Sequence, residues 1–245
     1  MSARSSCARN DTPAGFSRPG SVVCAVLLVA GCLAASFVAP TRAHASGKRG
    51  EIGLGVYFGG GSYDNRDFNA DLDRIGYGRI ESGIEYGFAV DYRLSDWFSI
   101  SGSAVRIGGD STPPNGPANP NTTATYGVRG SPLVLGLIAH AARTRHANVD
   151  VFAGVGPLLN ATVSSSSGVF NIEGRKTGFY AHGGVAGEYR FSPMVAMTLS
   201  GLARRARARN VDLRQTTGDT TAIWDLDFNG FAVWFGPKLY FGSPE

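Results

Sequence analysis

From Gly50 to Phe241 large apolar residues recur at every second position, the period of a strand whose side chains point alternately to opposite faces. The last segment shows it best. Phe231, Val233, Phe235, Pro237, Leu239 and Phe241 share one face; Ala232, Trp234, Gly236, Lys238 and Tyr240 share the other. Near the start, Ile52, Leu54, Val56 and Phe58 alternate with Glu51, Gly53, Gly55 and Tyr57. Ile84, Tyr86, Phe88, Val90 and Tyr92 then alternate with Glu85, Gly87, Ala89, Asp91 and Arg93. The pattern predicts eight strands, over 50–59, 82–94, 97–108, 125–140, 148–160, 177–191, 194–209 and 222–241. The phase is muddled in 97–108 and 125–140, which predicts a bulge near Gly102. Between 60 and 81 one short helical piece is expected over 69–76, with Asn69 as cap, Gly76 as stop and a solvated surface.

The connections sort by length. Ser95-Asp96, 141–147 and Ser192-Pro193 are short; 60–81, 109–124, 161–176 and 210–221 are long, and the two kinds alternate strictly. Short turns at one end and long loops at the other describe an antiparallel up-and-down barrel that crosses a membrane. The serine run 164–167 and the Pro/Asn/Thr-rich 111–123 are expected in mobile outer loops. One face carries Glu85, Asp91, Arg93, Glu188, Arg190 and Lys238 among many glycines; the other carries large residues with no charge through several strands. The inside of an eight-stranded barrel has room only for side chains to fill it. Glycine and paired charges fit there, and the rows of Phe, Tyr, Leu and Val do not. The expectation is an interior ion-pair network of those six residues and an apolar surface facing lipid. A soluble lipocalin-like binder would need the faces reversed.

Composition changes the picture at the front of the chain. Residues 1–45 carry four arginines against Asp11, which is +3 of the total net charge of +4. The basic balance therefore belongs to the leader and does not call for a nucleic-acid partner. Residues 1–20 are polar, Ser21 to Ala39 are apolar or small, and Ala43-His44-Ala45 ends the stretch. This reads as a secretory signal cleaved after Ala45, leaving 46–245 as the barrel domain. Val29-Ala30-Gly31-Cys32 offers an alternative, a lipoprotein acylated at Cys32. All three cysteines lie in the leader, so the remainder holds no disulfide framework and no thiolate nucleophile.

Two turns echo one another: Asp91-Tyr92-Arg93-Leu94-Ser95-Asp96 and Glu188-Tyr189-Arg190-Phe191-Ser192-Pro193. In each, acid and arginine share a face and the tyrosine takes the other. With these turns, the architecture and the last strand, residues 50–241 resemble the small outer-membrane β-barrel proteins of Gram-negative bacteria, the outer-membrane protein A, X and W types. The resemblance implies an eight-stranded transmembrane barrel in the outer membrane. It also implies that Phe231, Val233, Phe235, Leu239 and Phe241 form an assembly signal read by the barrel-insertion machinery. Phe241 is followed by Gly242-Ser243-Pro244-Glu245, a departure from a terminal Phe.

No His-Glu-x-x-His, nucleophile elbow or phosphate loop is present, and no metal or cofactor is expected. Some barrels of this size modify lipid A with His and Ser, but the His-x-Ser pattern of those enzymes has no match. His182, beside Gly183-Gly184, is expected to pack inside. The reading is a non-enzymatic, monomeric structural or surface-interaction protein. A narrow passage or binding barrel for small solutes comes second, a lipid A enzyme third. Arg205, Arg207 and Arg209 share a face above the lipid-facing row from Val195 to Ala203. Nine residues tilted by ~40° rise roughly 23 Å, close to the apolar band of such barrels. That height makes the arginines a candidate contact for lipopolysaccharide phosphates.

Overall fold

A computed structural model describes residues 49–111, 125–144, 146–166, 171–214 and 220–242. The leader, Cys32 and most of 111–123 lie outside these residues. The strands are β1 (Ile52–Ser62), β2 (Ser82–Arg93), β3 (Phe98–Ser111), β4 (Thr125–Arg143), β5 (Ala147–Ser166), β6 (Asn171–Arg190), β7 (Val195–Arg214), β8 (Thr220–Asp227) and β9 (Gly230–Phe241), with one helix, α1 (Arg66–Arg74). From β1 to β8 each strand pairs antiparallel with the next, and β9 pairs with both β7 and β1, so the sheet closes. β8 and β9 are two lengths of one stave: β9 pairs with the lower half of β7 and β8 with its upper half. The result is an all-β, eight-stave up-and-down barrel.

The alternation sorts as the period dictates. Ile84, Phe88, Leu135, Val155, Leu199 and Phe235 are exposed on the outside, and Leu135 keeps 75% of its surface. Their strand neighbours Glu85, Asp91, Arg93, Glu188 and Arg190 are buried inside. Exposed aromatics stand near both ends, Tyr92, Trp97, Tyr189 and Phe191 by the short turns and Phe58, Tyr86, Phe179 and Phe231 toward the long connections. Closure leaves no strand edge in the apolar band, the condition for a sheet to cross lipid. Among the described residues no helix is long and apolar enough to cross a membrane.

Several local expectations are corrected. Register runs unbroken through Gly102 against both β2 and β4. In β4 the irregularities fall between Arg129 and Ser131 and between His140 and Ala142, in β5 one falls between Leu158 and Ala161, and others lie in β6 and β7. At the β5 irregularity Asn160 takes φ 49°, a conformation that asparagine tolerates better than most residues. The phase of β3 looked muddled because its inward row changes from Ser99, Ser101 and Ser103 to Val105 and Ile107. Ser164 and Ser165 lie in β5, paired with Gly127 and Tyr126 of β4, not in a loop. The expected long connections 161–176 and 210–221 are mostly hairpin, with strand to Ser166, from Asn171, to Arg214 and from Thr220.

The interior is stratified. The inner end beside the short turns is charged. The opposite end holds an apolar core that includes Phe68, Leu72, Ile107, Leu158, Val211 and Phe228. This core exists because β8 pairs only with β7, leaving its other edge without a strand. Segment 63–81 fills the seam between β8 and β3. The Asp227 amide donates to Asn65 Oδ1 at 3.0 Å, Trp224 Nε1 donates to Asp71 Oδ2 at 2.8 Å, and the Gly108 amide donates to Tyr63 Oη at 3.1 Å. α1 therefore begins four residues earlier than expected, with Asn65 rather than Asn69 at the cap position. It is not a solvated turn. Phe68, Asn69 and Leu72 are buried, and the Ile80 amide donates to Asn69 Oδ1 at 2.9 Å. Gly76 follows the helix at φ 79°. On the exposed side Arg79 grips Asp73 at 2.7 Å, and these bonds hold the Asp73 carboxyl below its ordinary range.

Phe68→Ala should loosen the seam before the barrel. Losing a buried Phe costs about 3–5 kcal/mol, and here the loss falls on one docked segment. Limited proteolysis of the folded protein should then cut within 63–81 much faster than in wild type. Equal cutting rates would mean that α1 is not held by its apolar face.

Candidate functional site

The lumen gathers most of the buried charge. Three groups of side chains cross it, each assembled from separate strands.

The first lies near the short turns. Glu51 receives Arg190 Nη1 at 3.0 Å, Arg190 Nη2 at 3.1 Å and Arg93 Nη1 at 3.2 Å. Arg190 Nε donates to Glu188 Oε1 at 3.0 Å, and its guanidinium lies 3.7 Å from the centre of the Tyr240 ring. Lys238 Nζ sits 2.5 Å from Asp91 Oδ2 and 3.6 Å from Glu188 Oε2. Asn148 and Tyr240 donate to the same Glu188 carboxylate. Five of the six predicted interior residues thus meet in one layer, with Glu51 as a bridging carboxylate. Gly53 makes the room, since a Cβ there would come within 2.7 Å of the Lys238 side chain.

The sixth, Glu85, stands apart and higher. Its carboxylate is 2.5 Å from Arg204 Nη1 and accepts Trp234 Nε1 at 2.7 Å. Arg204 also donates to the Phe228 carbonyl at 2.8 Å and the Ser62 carbonyl at 3.2 Å. Trp234 stacks on Tyr57 at 4.8 Å, and His182 packs against Trp234, Phe152 and Tyr180. Gly61 is demanded here too: a Cβ would meet Glu85 Oε1 at 2.0 Å and Arg204 Nη2 at 2.5 Å. Arg204 escaped the sequence reading because it sits in the run Arg204-Arg205-Ala206-Arg207. Alternation was the available signal, since a row that places Arg205 outside must place Arg204 inside.

The third group was not anticipated at all. Ser99 of β3, His140 of β4 and Asp150 of β5 form a buried chain: Ser99 Oγ to His140 Nε2 is 2.8 Å, and His140 Nδ1 to Asp150 Oδ1 is 2.7 Å. No local motif announces it, because the three residues meet only through register. A cavity of about 120 Å³ lies in the lumen, lined by Tyr57, Ser101, Asp150, His182, Trp234 and Lys238 among others. Among the described residues no group of three or more His, Cys, Asp and Glu could hold a metal ion.

Outside, Arg205 and Arg209 are exposed above Ala203, whereas Arg207 is half-buried and lies 3.8 Å from both Asp225 and Asp227 of β8. The three arginines share a face, but acids of the neighbouring strand offset the middle one. Phe231, Val233, Phe235, Leu239 and Phe241 all point outward from β9.

A family model described as the outer membrane protein beta-barrel domain matches residues 28–238. No curated protein matches the chain. Among solved structures, the N-terminal β-barrel domain of Pseudomonas aeruginosa OprF is similar at 16% identity, covering 80% of this chain and 100% of that one with a TM-score of 0.46. OprG of the same organism is similar at 11% identity, covering 80% and 98% with a TM-score of 0.49. The outer membrane protease OmpT of Escherichia coli is similar at 11% identity, covering 78% and 97% with a TM-score of 0.40.

Proposed function

Since the chain belongs to the outer-membrane β-barrel family and resides in the outer membrane, we propose that it is a monomeric structural or surface-interaction barrel with a packed lumen. The observation that carries this reading is the filling of the interior: two ion-paired groups at different heights, then an apolar core sealed by α1. A solute would have to break buried ion pairs and dislodge Phe68 and Leu72 to pass. The exterior is left for interaction, with hairpins β5–β6 and β7–β8 extending beyond the apolar band. This role calls for no catalytic group. The outward row of β9 serves assembly, as the strand recognised by the barrel-insertion machinery.

Refolded protein in a planar bilayer should stay electrically silent over the range in which open barrels of this size conduct. Steady unitary openings would overturn the packed-lumen role in favour of a narrow passage for small solutes.

The surface role includes lipopolysaccharide. Arg205 and Arg209 are exposed just beyond the outward row of β7 that ends at Ala203, the height expected for its phosphates, and guanidinium suits bidentate phosphate contact. Because Asp225 and Asp227 flank Arg207, the outer two arginines should carry most of the effect. Lipopolysaccharide should raise the melting temperature of wild type more than that of the Arg205→Gln, Arg209→Gln protein. Arg207→Gln alone should change little. Equal stabilisation of all three proteins would remove the arginines from the contact.

A further inference from the structure

We propose that Ser99, His140, Asp150 and Arg143 form a serine-nucleophile site at the short-turn end of the lumen, acting on small carboxylic esters. It goes beyond the structural role proposed above and does not depend on it. The order of contacts matters. Asp150 engages His140 Nδ1 and Ser99 engages His140 Nε2, so the imidazole lies between a carboxylate and a hydroxyl through opposite ring nitrogens. That arrangement selects one tautomer: Nδ1–H donates to Asp150, and the Nε2 lone pair accepts the Ser99 hydroxyl hydrogen. A nucleophile within hydrogen-bond reach of a base, itself oriented by a third group, is the geometry that activates serine.

The fourth member comes from an irregularity of the sheet. His140 stands opposite Asp150, and regular pairing would then set Ala142 opposite Asn148. The slip between His140 and Ala142 sets Arg143 there instead. Bulges re-aim side chains in this way. Asn148 faces the lumen, and the Nε, Nη1 and Nη2 atoms of Arg143 are buried without a hydrogen-bond partner. Arg143 also lies within electrostatic range of Asp150, Arg93 and Arg190. A buried guanidinium with unused donors suits an oxyanion as it develops on a substrate. Asp150 also lines the cavity of about 120 Å³. Ser101, two residues beyond Ser99 on the same inward row, lines it too, and a space of this size takes only a short acyl group, since roughly 150 Å³ holds a benzene-sized guest. Ser99 is only 3% exposed and immediately follows the first residue of β3. The adjoining turn at 94–97 therefore has to open for a reagent to enter.

The reaction is acyl transfer. Ser99 Oγ attacks the ester carbonyl carbon as its proton passes to His140 Nε2, and Arg143 holds the resulting oxyanion. The C–O bond to the alcohol breaks, and the alcohol leaves with the proton from His140. Water then attacks the acyl-serine, giving its proton to His140. Collapse releases the acid, and the proton returns to Ser99. Asp150 positions the imidazole throughout.

Diisopropyl fluorophosphate reports on this chemistry without a known substrate: Oγ–P forms, P–F breaks, fluoride leaves and the serine proton goes to His140. The folded full chain in detergent should take up one adduct, mapped to Ser99 by peptide mass, and the boiled protein none. Ser99→Ala should abolish it, and His140→Ala should slow it at least about 100-fold, the usual share of a general base. Arg143→Gln and Asp150→Asn should slow labelling while migration before and after boiling stays as in wild type. No adduct on the folded wild type, an adduct mapping elsewhere, or equal labelling of a folded His140→Ala protein would overturn the site. The wild-type peptide map decides the matter even if a variant fails to fold.

Discussion

Glu85→Ala should destabilise the barrel by about 3–5 kcal/mol, the cost of leaving one member of a buried ion pair uncompensated. The side chains of Glu85 and Arg204 are both fully buried. Without the carboxylate, Arg204 keeps the Phe228 and Ser62 carbonyls and the Tyr63 ring but loses its ion-pair partner, and Trp234 Nε1 loses its acceptor. The urea midpoint of the protein refolded into lipid vesicles should fall accordingly. The double replacement Glu85→Met with Arg204→Met should recover most of the loss, because two apolar side chains of similar length bury no charge. A single variant as stable as wild type would mean that water solvates this pair. A double variant no better than Glu85→Ala would mean that the two residues do not act as a pair.

Arg190→Ala should have an effect of similar size, again about 3–5 kcal/mol. Arg190 ties two carboxylates, Glu51 and Glu188, and covers the Tyr240 ring. Among the described residues, removing it leaves Glu51 with Arg93, and Glu188 with Lys238 at 3.6 Å and its neutral donors. Arg66→Ala is the contrast, since Arg66 and Asp64 pair on the surface with side chains 86% and 47% exposed. Such pairs contribute about 0–1 kcal/mol. If the two substitutions shift the urea midpoint equally, the lumen charges are solvated and the interior is not packed as described.

How legible each feature was depended on whether its cause is local. Period-two alternation in 231–241 and 52–58 placed Phe235 outside and Lys238 inside before any pairing was known. The Asp91-Tyr92-Arg93 and Glu188-Tyr189-Arg190 turns marked the charged end of the lumen in the same way. β3 was harder, because its inward row changes chemistry from Ser103 to Val105 and only looks like a change of phase. The helix was seen, but its burial was not. Nothing between Asn65 and Gly76 says that the edge of β8 lacks a strand and that Phe68 and Leu72 will cover it. The serine run at 164–166 has the composition of a loop, yet hydrogen bonding to β4 and β6 keeps it in the sheet.

By itself, then, the sequence determined which face most side chains of the regularly alternating strands take, the number of staves, the end with short turns and the solvent each face meets. All of these follow from pleat geometry and from the volume available inside a small barrel. Only the tertiary structure decided who meets whom. Glu85 finds Arg204 rather than Arg93, and Ser99 finds His140 and Asp150. Arg143 enters the lumen because β4 slips between His140 and Ala142. Register and bulges come from the summed pairing of strands far apart in the chain, and no window of sequence contains that sum.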